Sequence, residues 1–357
     1  MSFKKKFDQI YWGLYDNFRK VSAQKTRIKQ FKKKTSKKVL TPEQERLVKA
    51  FYEQYKIPNL VFHRFYTEKT GEFFANYIPQ DIYVGYIDPY FNNINEGKYF
   101  ENKCYFDTIF NGISQPTTLF KRVNGIWFDG NGEVINLEKC VEIINSEDGV
   151  FVKMAQESFG GFGVTYLEPS AEMESEFKEL SEKISVDIIV QKKIIQHERM
   201  AAFNPSSVNS LRLYSVLSKD GNVKVYSAVC RMGVGNTKVD NYASGGVSCG
   251  VDENGFLRKY GYSKTGERTE AHPASNIVFE GYSIPNYDAA VRLVEEAHKM
   301  VPHFRSVSWD IAITAEGAVL IEANLFRGGI DLLQLSNGPL YGEDTKKILD
   351  EVFKKSI

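Results

Sequence analysis

The sequence predicts an α+β protein built from antiparallel hairpins and amphipathic helices. With 357 residues, of which 42% are hydrophobic and 13% aromatic, the chain can bury a large core and should divide into two or three lobes. Runs rich in β-branched residues are joined by short turns such as Asn124-Gly125 and Ala315-Glu316-Gly317, which are typical of antiparallel pairs. Helical patterns lie between these runs, and together the two signals predict the α+β class.

The first predicted element is a basic arm over residues 1–40. Residues 1–39 contain thirteen lysines and arginines and two aspartates, which gives +11 and leaves −10 for the rest of a chain whose formal charge is +1. Apolar residues recur every three or four positions over 3–20, which predicts a basic amphipathic helix with an aromatic face, and the lysine run at 32–38 is interpreted as a solvated hinge. The helix either contacts an anionic membrane surface or docks on the body of the protein while its lysines stay in solvent.

Several classes of protein are disfavoured by composition. No apolar run approaches the length of a membrane span, and no signal-peptide pattern follows Met1, so we expect a cytoplasmic protein, peripheral at the inner face of the membrane if the arm binds there. The four cysteines lie far apart and favour reduced core thiols over a zinc site. Because the basic residues are concentrated in one terminal arm and the remainder is acidic, nucleic-acid binding is not expected.

An N-terminal lobe is predicted over residues 41–118. Thr41 is a good N-cap, a proline follows it at the first helical position, and Gln44 can complete a capping box, so a helix is predicted over 42–55. Between 61 and 93, aromatic and β-branched residues interrupted by glycine and proline favour short strands and loops.

Two further lobes are predicted, a small lid lobe over 119–192 and a large lobe over 193–357. The small lobe is expected to contain the following elements: hairpins within 119–135, strands at 150–154 and 187–191, and a helix near 171–183. The large lobe is expected to contain strands at 210–218, 223–232, 308–313 and 318–322 and helices near 286–300 and 343–355.

The last predicted hairpin carries a candidate metal site. Asp310 lies on its first strand, and Glu322 and Asn324 lie on its second strand. Alternate residues of a strand share a side, so these three side chains can project from one face. Two carboxylates and an amide oxygen suit Mg²⁺ when triphosphate oxygens complete its coordination. The alternative is that they form the wet face of a half-exposed hairpin.

A glycine-rich loop at 158–163 follows the strand that contains Lys153. Backbone N–H groups of such a loop can close over phosphates, and a lysine on the preceding strand can reach the same oxygens as a point charge. The alternative is an ordinary β-turn with no ligand.

In their order along the chain, these residues resemble the ATP-grasp superfamily. The order is Asn102-Lys103, Val152-Lys153, the glycine loop, Val190-Gln191, Glu198, Asn209-Ser-Leu-Arg212, Trp309-Asp310 and Glu322-Ala-Asn324. Three further segments resemble the sugar-transfer-associated ATP-grasp proteins encoded among polysaccharide biosynthesis genes: Tyr77-Ile-Pro79, 205–212 and 334–339. The resemblance implies the ATP-grasp fold, in which the nucleotide is held between two antiparallel-sheet lobes.

The same resemblance implies ATP and Mg²⁺ as cofactors, with Mn²⁺ as a possible substitute. Asp310, Glu322 and Asn324 would hold the metal, while Gln191 would lie near the adenine and Glu198 near the ribose. The residues implied in nucleotide binding are Lys103, Lys153, Ser158, Gly160, Gly161, Gly163, Gln191 and Glu198. For Gln191 and Glu198 the alternative is an ordinary exposed polar residue.

On the substrate side, the chain departs from the D-alanine ligases. Those enzymes carry an arginine two residues before the first metal aspartate, where this chain has Ser308. The charge would then come from Arg212, Arg231 or Arg327, and Arg212, Arg327 and Lys153 are predicted to be catalytic. The residues implied on this side of the cleft are Asn209, Arg212, Arg231, Gly245, Gly246, His272, Gly328 and Gly329, where the two last N–H groups can hold an oxyanion. An ion pair is the alternative for Arg212, and a structural role is the alternative for His272.

The activity that the resemblance implies is that of a carboxylate–amine ligase in cell-surface polysaccharide modification. A carboxylate would take the γ-phosphoryl group of ATP to form an acyl phosphate, which an amine would attack. An amino acid or a sugar acid, free or linked to a glycan, is the expected substrate. The alternatives are a kinase that phosphorylates a hydroxyl and a non-catalytic nucleotide-binding scaffold of a glycan assembly complex.

Overall fold

The computed structural model describes residues 25–93, 97, 99–156, 163–235, 245–326 and 328–354. The predicted helix over 3–20, the loop residues Ser158, Gly160 and Gly161, and Arg327 lie outside these residues. Across the described ranges, no helix combines the length and the apolar character that crossing a bilayer requires.

The chain divides into two compact units. One unit comprises Met1–Asn92 together with Gly329–Ile357, and the other comprises Asn93–Gly328. The predicted large lobe over 193–357 runs past this boundary, because its last residues pack with the N-terminal segment. Gly328 and Gly329 therefore fall in different units.

The first unit is helical in its described part. Its helices and helical turns are residues 25–34, Pro42–Tyr52, Val61–Thr70, Gln80–Ile82, Tyr83–Ile87, Asp88–Phe91, Asp331–Asn337, Gly342–Asp344 and Thr345–Phe353. The predicted capping box is confirmed, since Thr41 Oγ1 accepts from the Gln44 N–H at 3.2 Å and Gln44 Oε1 accepts from the Thr41 N–H at 2.9 Å.

One prediction for this unit is wrong. Residues 61–70 form a helix rather than strands, because Val61, Phe62, Phe65 and Tyr66 are buried together at helical spacing and packing overrides their strand preference.

The lysines of the run at 32–38 are exposed, as predicted, although residues 32–34 continue the helix over 25–34. That helix buries Phe31, whose ring centroid lies 4.9 Å from that of Phe62 and 4.7 Å from that of Phe65.

The second unit contains a six-stranded sheet in which every pairing is antiparallel. Its strands are β1 (Thr118–Val123), β2 (Ile126–Asp129), β3 (Val134–Ile135), β4 (Val150–Met154), β5 (Val164–Leu167) and β6 (Ile188–Lys192), in the order β3-β2-β1-β6-β4-β5. The predicted first hairpin is confirmed, because Asn124 and Gly125 both have positive φ, 50° and 82°, as a type I′ turn requires. Helices Leu137–Asn145 and Met173–Lys183 cover one face and bury Phe120, Val152 and Phe177.

A seven-stranded antiparallel sheet completes this unit. Its strands are β7 (Ser210–Leu217), β8 (Val223–Met232), β9 (Val247–Val251), β10 (Leu257–Ser263), β11 (Arg268–Thr269), β12 (Ser306–Ile313) and β13 (Ala318–Asn324), in the order β11-β10-β9-β8-β7-β12-β13. Helix Tyr287–Met300 packs on one face, over Leu211, Leu213 and Trp309. Because side chains alternate along each strand, the residues that precede and follow these three in the sequence project from the opposite face of the sheet. The α+β class with two antiparallel sheets is confirmed.

Candidate active site

The predicted metal ligands lie on the face of the seven-stranded sheet that is opposite its helix. Asp310 pairs directly with Arg212 of β7 on one side and with Glu322 of β13 on the other, and Ser308 pairs with Asn324. Directly paired residues in an antiparallel sheet project to the same face. The hairpin therefore places Asp310, Glu322 and Asn324 together, as the spacing predicted.

Two arginines hold Asp310. Arg212 donates from Nε to Oδ1 and from Nη2 to Oδ2, both at 2.7 Å, and Arg231 of β8 donates from Nη1 to Oδ2 at 3.0 Å. Burial alone would raise the pKa of Asp310, but the charges and hydrogen bonds of the two arginines outweigh it and hold that pKa below its usual value. Asp310 is therefore an ionised carboxylate. Arg212 and Arg231 place positive charge on the side of Asp310 that faces away from Glu322.

Glu322 and Asn324 of β13 are held by Lys103 and by the backbone of β12. Lys103 Nζ donates to Glu322 Oε1 at 2.9 Å, and Asn324 Nδ2 donates to the carbonyl of Ser308 at 3.2 Å. The Asn324 bond uses the amide nitrogen and leaves the amide oxygen as the ligand atom. Ser308 Oγ, on the same face, is buried and has no hydrogen-bond partner within the described part of the chain.

These donors fit a hard divalent cation that is shared with phosphate. The described residues contain no group of three or more His, Cys, Asp or Glu side chains able to hold a metal ion. The hairpin offers two carboxylates and one amide oxygen, which leaves part of an octahedral Mg²⁺ shell to other oxygens. Triphosphate oxygens would supply that part.

Lys153 projects from β4 on the face away from the core of the six-stranded sheet. Its Nζ donates to Gln191 Oε1 of β6 at 2.8 Å. The pKa of Lys153 falls to about 8, because burial disfavours the ammonium and Lys103 adds a second positive charge nearby, which Glu322 offsets in part. Lys153 is thus within electrostatic reach of both Lys103 and the metal hairpin, so residues from both sheets form one cluster.

The sequence matches the sugar-transfer associated ATP-grasp family over residues 85–349. That match covers most of the chain and includes both sheets. The chain belongs to this family. No match exists among curated proteins.

Solved structures with a similar fold are ATP-grasp ligases with low sequence identity. VanG, a D-Ala:D-Ser ligase from Enterococcus faecalis, has a TM-score of 0.43 and 14% identity over 71% of this chain and 60% of its own. PsnB, crystallised with a phosphomimetic precursor, Mg and ADP, has a TM-score of 0.43 and 12% identity over 73% and 61%. The D-alanine–D-alanine ligase of Bacillus anthracis has a TM-score of 0.40 and 12% identity over 71% and 66%. The chain thus spans less than two thirds of each of these proteins.

A cavity of about 200 Å³ lies beside the chain segment that follows β6. Its lining includes Phe151, Lys193, Ile194 and Val208. Phe151 shares a face of β4 with Lys153, and its ring packs 5.0 Å from that of Tyr166. Phe151 and Ile194 were not predicted as site residues from the sequence. The alternation of Phe151 and Lys153 with the core residues of β4 was the signal that could have found Phe151.

Two residues implied on the substrate side are fully engaged by the fold. Asn209 is buried, its Nδ2 donates to the carbonyls of Met200 and Asn204 at 2.8 Å, and its Oδ1 accepts from the Gly233 N–H at 3.2 Å. His272 Nε2 lies 2.9 Å from the Gly233 carbonyl. Burial lowers the pKa of His272, which keeps the ring neutral. These contacts favour the structural alternative for His272 and give Asn209 a role in holding the fold.

The remaining implied residues are distributed around the two sheets. Glu198 is exposed at the start of the turn Glu198–Ala201, which follows β6. Gly163 has a φ of 73° at the end of the glycine loop, and Gly245, with a φ of 105°, and Gly246 precede β9. The backbone of Gly328 lies so close to Ser308 that a Cβ at Gly328 would be 2.8 Å from Ser308 Oγ.

Proposed function

We propose that this protein is an ATP- and Mg²⁺-dependent ligase that joins a carboxylate to an amine through an acyl phosphate. The observation that carries the proposal is the cluster of Lys103, Lys153, Glu322 and Asp310, in which two lysines for phosphate oxygens adjoin two carboxylates for a metal. The structure of PsnB, a ligase of similar fold, is a complex that contains Mg and ADP.

In this proposal Asp310, Glu322 and Asn324 hold the Mg²⁺ ion. The bound ion would offset charge on the transferring phosphoryl group. Lys103 and Lys153 would bind the β- and γ-phosphate oxygens, and backbone N–H groups of the glycine loop at 158–163 would donate to the same phosphates. Because the Lys103 ammonium donates to Glu322, phosphate oxygens would compete with the Glu322 carboxylate for that ammonium.

The cavity beside β6 is assigned to the adenine ring. Its volume of about 200 Å³ lies below the roughly 300–1,000 Å³ of most ligand pockets, so it suits one planar ring better than a whole nucleotide. Phe151 and Ile194 provide apolar surface, and Glu198 is exposed for the ribose hydroxyls.

Arg212 and Arg231 take the place of the arginine that the D-alanine ligases carry two residues before the metal aspartate. Both reach Asp310 from neighbouring strands, so their charge lies beside the reacting groups without a side chain at position 308. The carboxylate oxygen attacks the γ-phosphorus and ADP leaves. The amine then attacks the acyl carbonyl, and Arg212, Arg231 and nearby backbone N–H groups stabilise the oxyanion until inorganic phosphate leaves.

The substrate is an amino acid or a sugar acid of a cell-surface polysaccharide. The family's association with sugar transfer supports a glycan-linked carboxylate or amine. The reaction would take place in the cytoplasm, and the basic arm would bring the enzyme to the anionic inner face of the membrane, near a lipid-linked glycan substrate.

The test is ADP and phosphate release with ATP and Mg²⁺ across amino acids, sugar acids and amines, with hydroxylamine as a trap for the acyl phosphate. We expect one acid to yield a hydroxamate, which would name the carboxylate substrate. ADP production with a stable phosphorylated alcohol and no hydroxamate would instead identify a kinase. Retained nucleotide binding with no turnover on any member of the panel would favour the scaffold.

A further inference from the structure

The carboxylate of Glu101 lies at the end of β13, the strand that carries Glu322 and Asn324. Its Oε1 accepts a hydrogen bond from the N–H of Leu325 at 2.8 Å, and the carboxylate also accepts from the N–H of Phe326. These two residues directly follow Asn324, the last residue of β13. Glu101 therefore fixes the backbone immediately beyond one proposed metal ligand, without being a ligand itself.

The segment that carries Glu101 is itself held at both ends. The Glu101 N–H donates to the carbonyl of Gly97 at 2.9 Å, and Gly97 lies so close to the ring of Phe326 that an added Cβ would be 2.4 Å from it. Two residues after Glu101, the Lys103 N–H donates to the carbonyl of Ala155 at 2.9 Å, just beyond β4. Residues 101–103 thus bond both to the end of β13 and to the end of the strand that carries Lys153.

The surroundings of Glu101 disfavour a negative charge, so a side chain that served only to pack would be expected to be neutral. Burial raises the pKa of Glu101 to about 7, the N–H groups of Leu325 and Phe326 oppose that rise, and the nearby negative charge of Glu322 adds to it. A neutral side chain would avoid both the desolvation and the repulsion. A carboxylate at this position accepts the two backbone hydrogen bonds. Its negative charge would also attract a cation bound at Glu322.

We propose that Glu101 is a positioning residue of the metal site, which holds the end of β13 so that Asn324 and Glu322 present their oxygens to a divalent cation. The inference rests on the proposed function, because it takes Asp310, Glu322 and Asn324 as the metal ligands. It predicts that loss of Glu101 weakens metal binding in the nucleotide complex, whereas nucleotide binding without metal is retained through Lys103, Lys153 and the adenine cavity.

The experiment measures Mn²⁺ binding to the full chain in saturating ADP, by the electron paramagnetic resonance signal of free Mn²⁺, and ADP binding in EDTA by calorimetry. We expect Glu101→Ala to weaken Mn²⁺ binding about tenfold, the effect of losing one or two charge-assisted hydrogen bonds. ADP binding in EDTA should change less than about twofold. Glu101→Gln keeps the side-chain length and one acceptor oxygen, so it should weaken Mn²⁺ binding by about threefold.

Glu68→Ala is the matched control, because Glu68 also accepts a backbone hydrogen bond, from the Ser36 N–H at 2.8 Å, in the other unit. It should leave both affinities unchanged. Unchanged Mn²⁺ affinity in a folded Glu101→Ala or Glu101→Gln protein would overturn the inference, as would an equal loss of Mn²⁺ and ADP affinity. A wild-type protein that binds neither ADP nor Mn²⁺·ADP would refute the proposed function instead.

Discussion

Among single residues, Lys153 gives the proposed nucleotide site a predicted pH dependence. Its pKa of about 8 lies below the ordinary lysine value of 10.5, so in mildly alkaline solution much of it is neutral in the free protein. Phosphate oxygens favour the charged form and would raise that pKa on binding. ADP binding should therefore take up a proton above the free-protein pKa, and take up almost none well below it, where Lys153 is already charged.

Calorimetry in buffers of different ionisation enthalpy measures this proton uptake. About one unit above the pKa of Lys153, uptake should approach one proton per ADP. Lys153→Arg keeps the charge at every accessible pH and should abolish the uptake while ADP still binds. Equal uptake in the wild type and in this variant would show that another group titrates.

Asp310 gives a residue-scale prediction for stability. Its side chain is only 8% exposed and is held by Arg212 and Arg231, so Asp310→Asn leaves two partly buried guanidinium groups without their carboxylate. Removing one partner of a buried pair costs roughly 3–5 kcal/mol, and we expect a loss of about 3 kcal/mol in the free energy of unfolding. Urea denaturation in EDTA measures it, with the exposed Asp220→Asn as control. A loss no larger than that of the control would mean that the two arginines have other counter-charges.

The proposed metal ligands on the hairpin of β12 and β13 were predictable residue by residue, whereas the residues that surround them were not. Asp310, Glu322 and Asn324 are close in sequence, and strand periodicity alone places them on one face. The partners Arg231 and Glu101 come from distant parts of the chain, and their positions depend on strand order and on where β13 ends. No local pattern encodes such contacts.

Among the elements, the segment that carries Lys103 links the proposed nucleotide site to the hairpin of β12 and β13. Since Lys103 Nζ is bonded to Glu322 at 2.9 Å, a metal ion without nucleotide must compete with that ammonium for the carboxylate. Phosphate oxygens would draw Lys103 away and make Glu322 available. Nucleotide and metal should therefore bind with positive coupling.

Lys103→Met tests this coupling. Mn²⁺ alone should bind more tightly to the variant than to the wild type, because Glu322 loses its internal counter-ion. ADP should bind more weakly, because a phosphate contact is lost. The two affinities are measured by paramagnetic resonance and calorimetry, and Lys121→Met is the control, since Lys121 bonds instead to Asp107 and to the carbonyl of Cys104. Weaker Mn²⁺ binding in the absence of ADP would contradict the account.

Elements with local signals were predicted and those defined by packing were missed. The capped helix Pro42–Tyr52 and the first hairpin carry their own cap and turn residues. Helix Val61–Thr70 is rich in strand-favouring aromatic residues, and only the burial of one side reveals its period. Strands β9 and β10 contain Gly250 and Gly261, which weaken the strand pattern in the sequence.

The distribution of charge over the whole molecule leads to a prediction about membranes. Lys32 and Lys33 are exposed in the last turn of the helix over 25–34, and Lys37 is exposed just after it. The same helix packs into the first unit through Phe31. Changing these three lysines to glutamate should abolish binding to vesicles that contain anionic lipid, because each basic residue near such a surface contributes about 1 kcal/mol. Turnover in solution should be retained.

Vesicle sedimentation measures this binding. The matched control changes Lys139, Lys178 and Lys183, which are exposed on helices of the six-stranded sheet and paired with glutamates. Deletion should stop at residue 24, because removal of Phe31 would also disrupt the core of the first unit. Binding of the glutamate variant equal to that of the wild type would exclude an electrostatic contact through this run.

In the proposed reaction, a carboxylate receives the γ-phosphoryl group of ATP, and an amine then displaces phosphate from the acyl phosphate. The most direct measurement uses the acid identified by hydroxamate trapping, labelled with ¹⁸O in its carboxylate, and follows the label by mass spectrometry. An acyl phosphate predicts that each released phosphate carries one ¹⁸O atom and that the amide retains the other. Unlabelled phosphate, with both labelled oxygens still in the acid, would contradict the account.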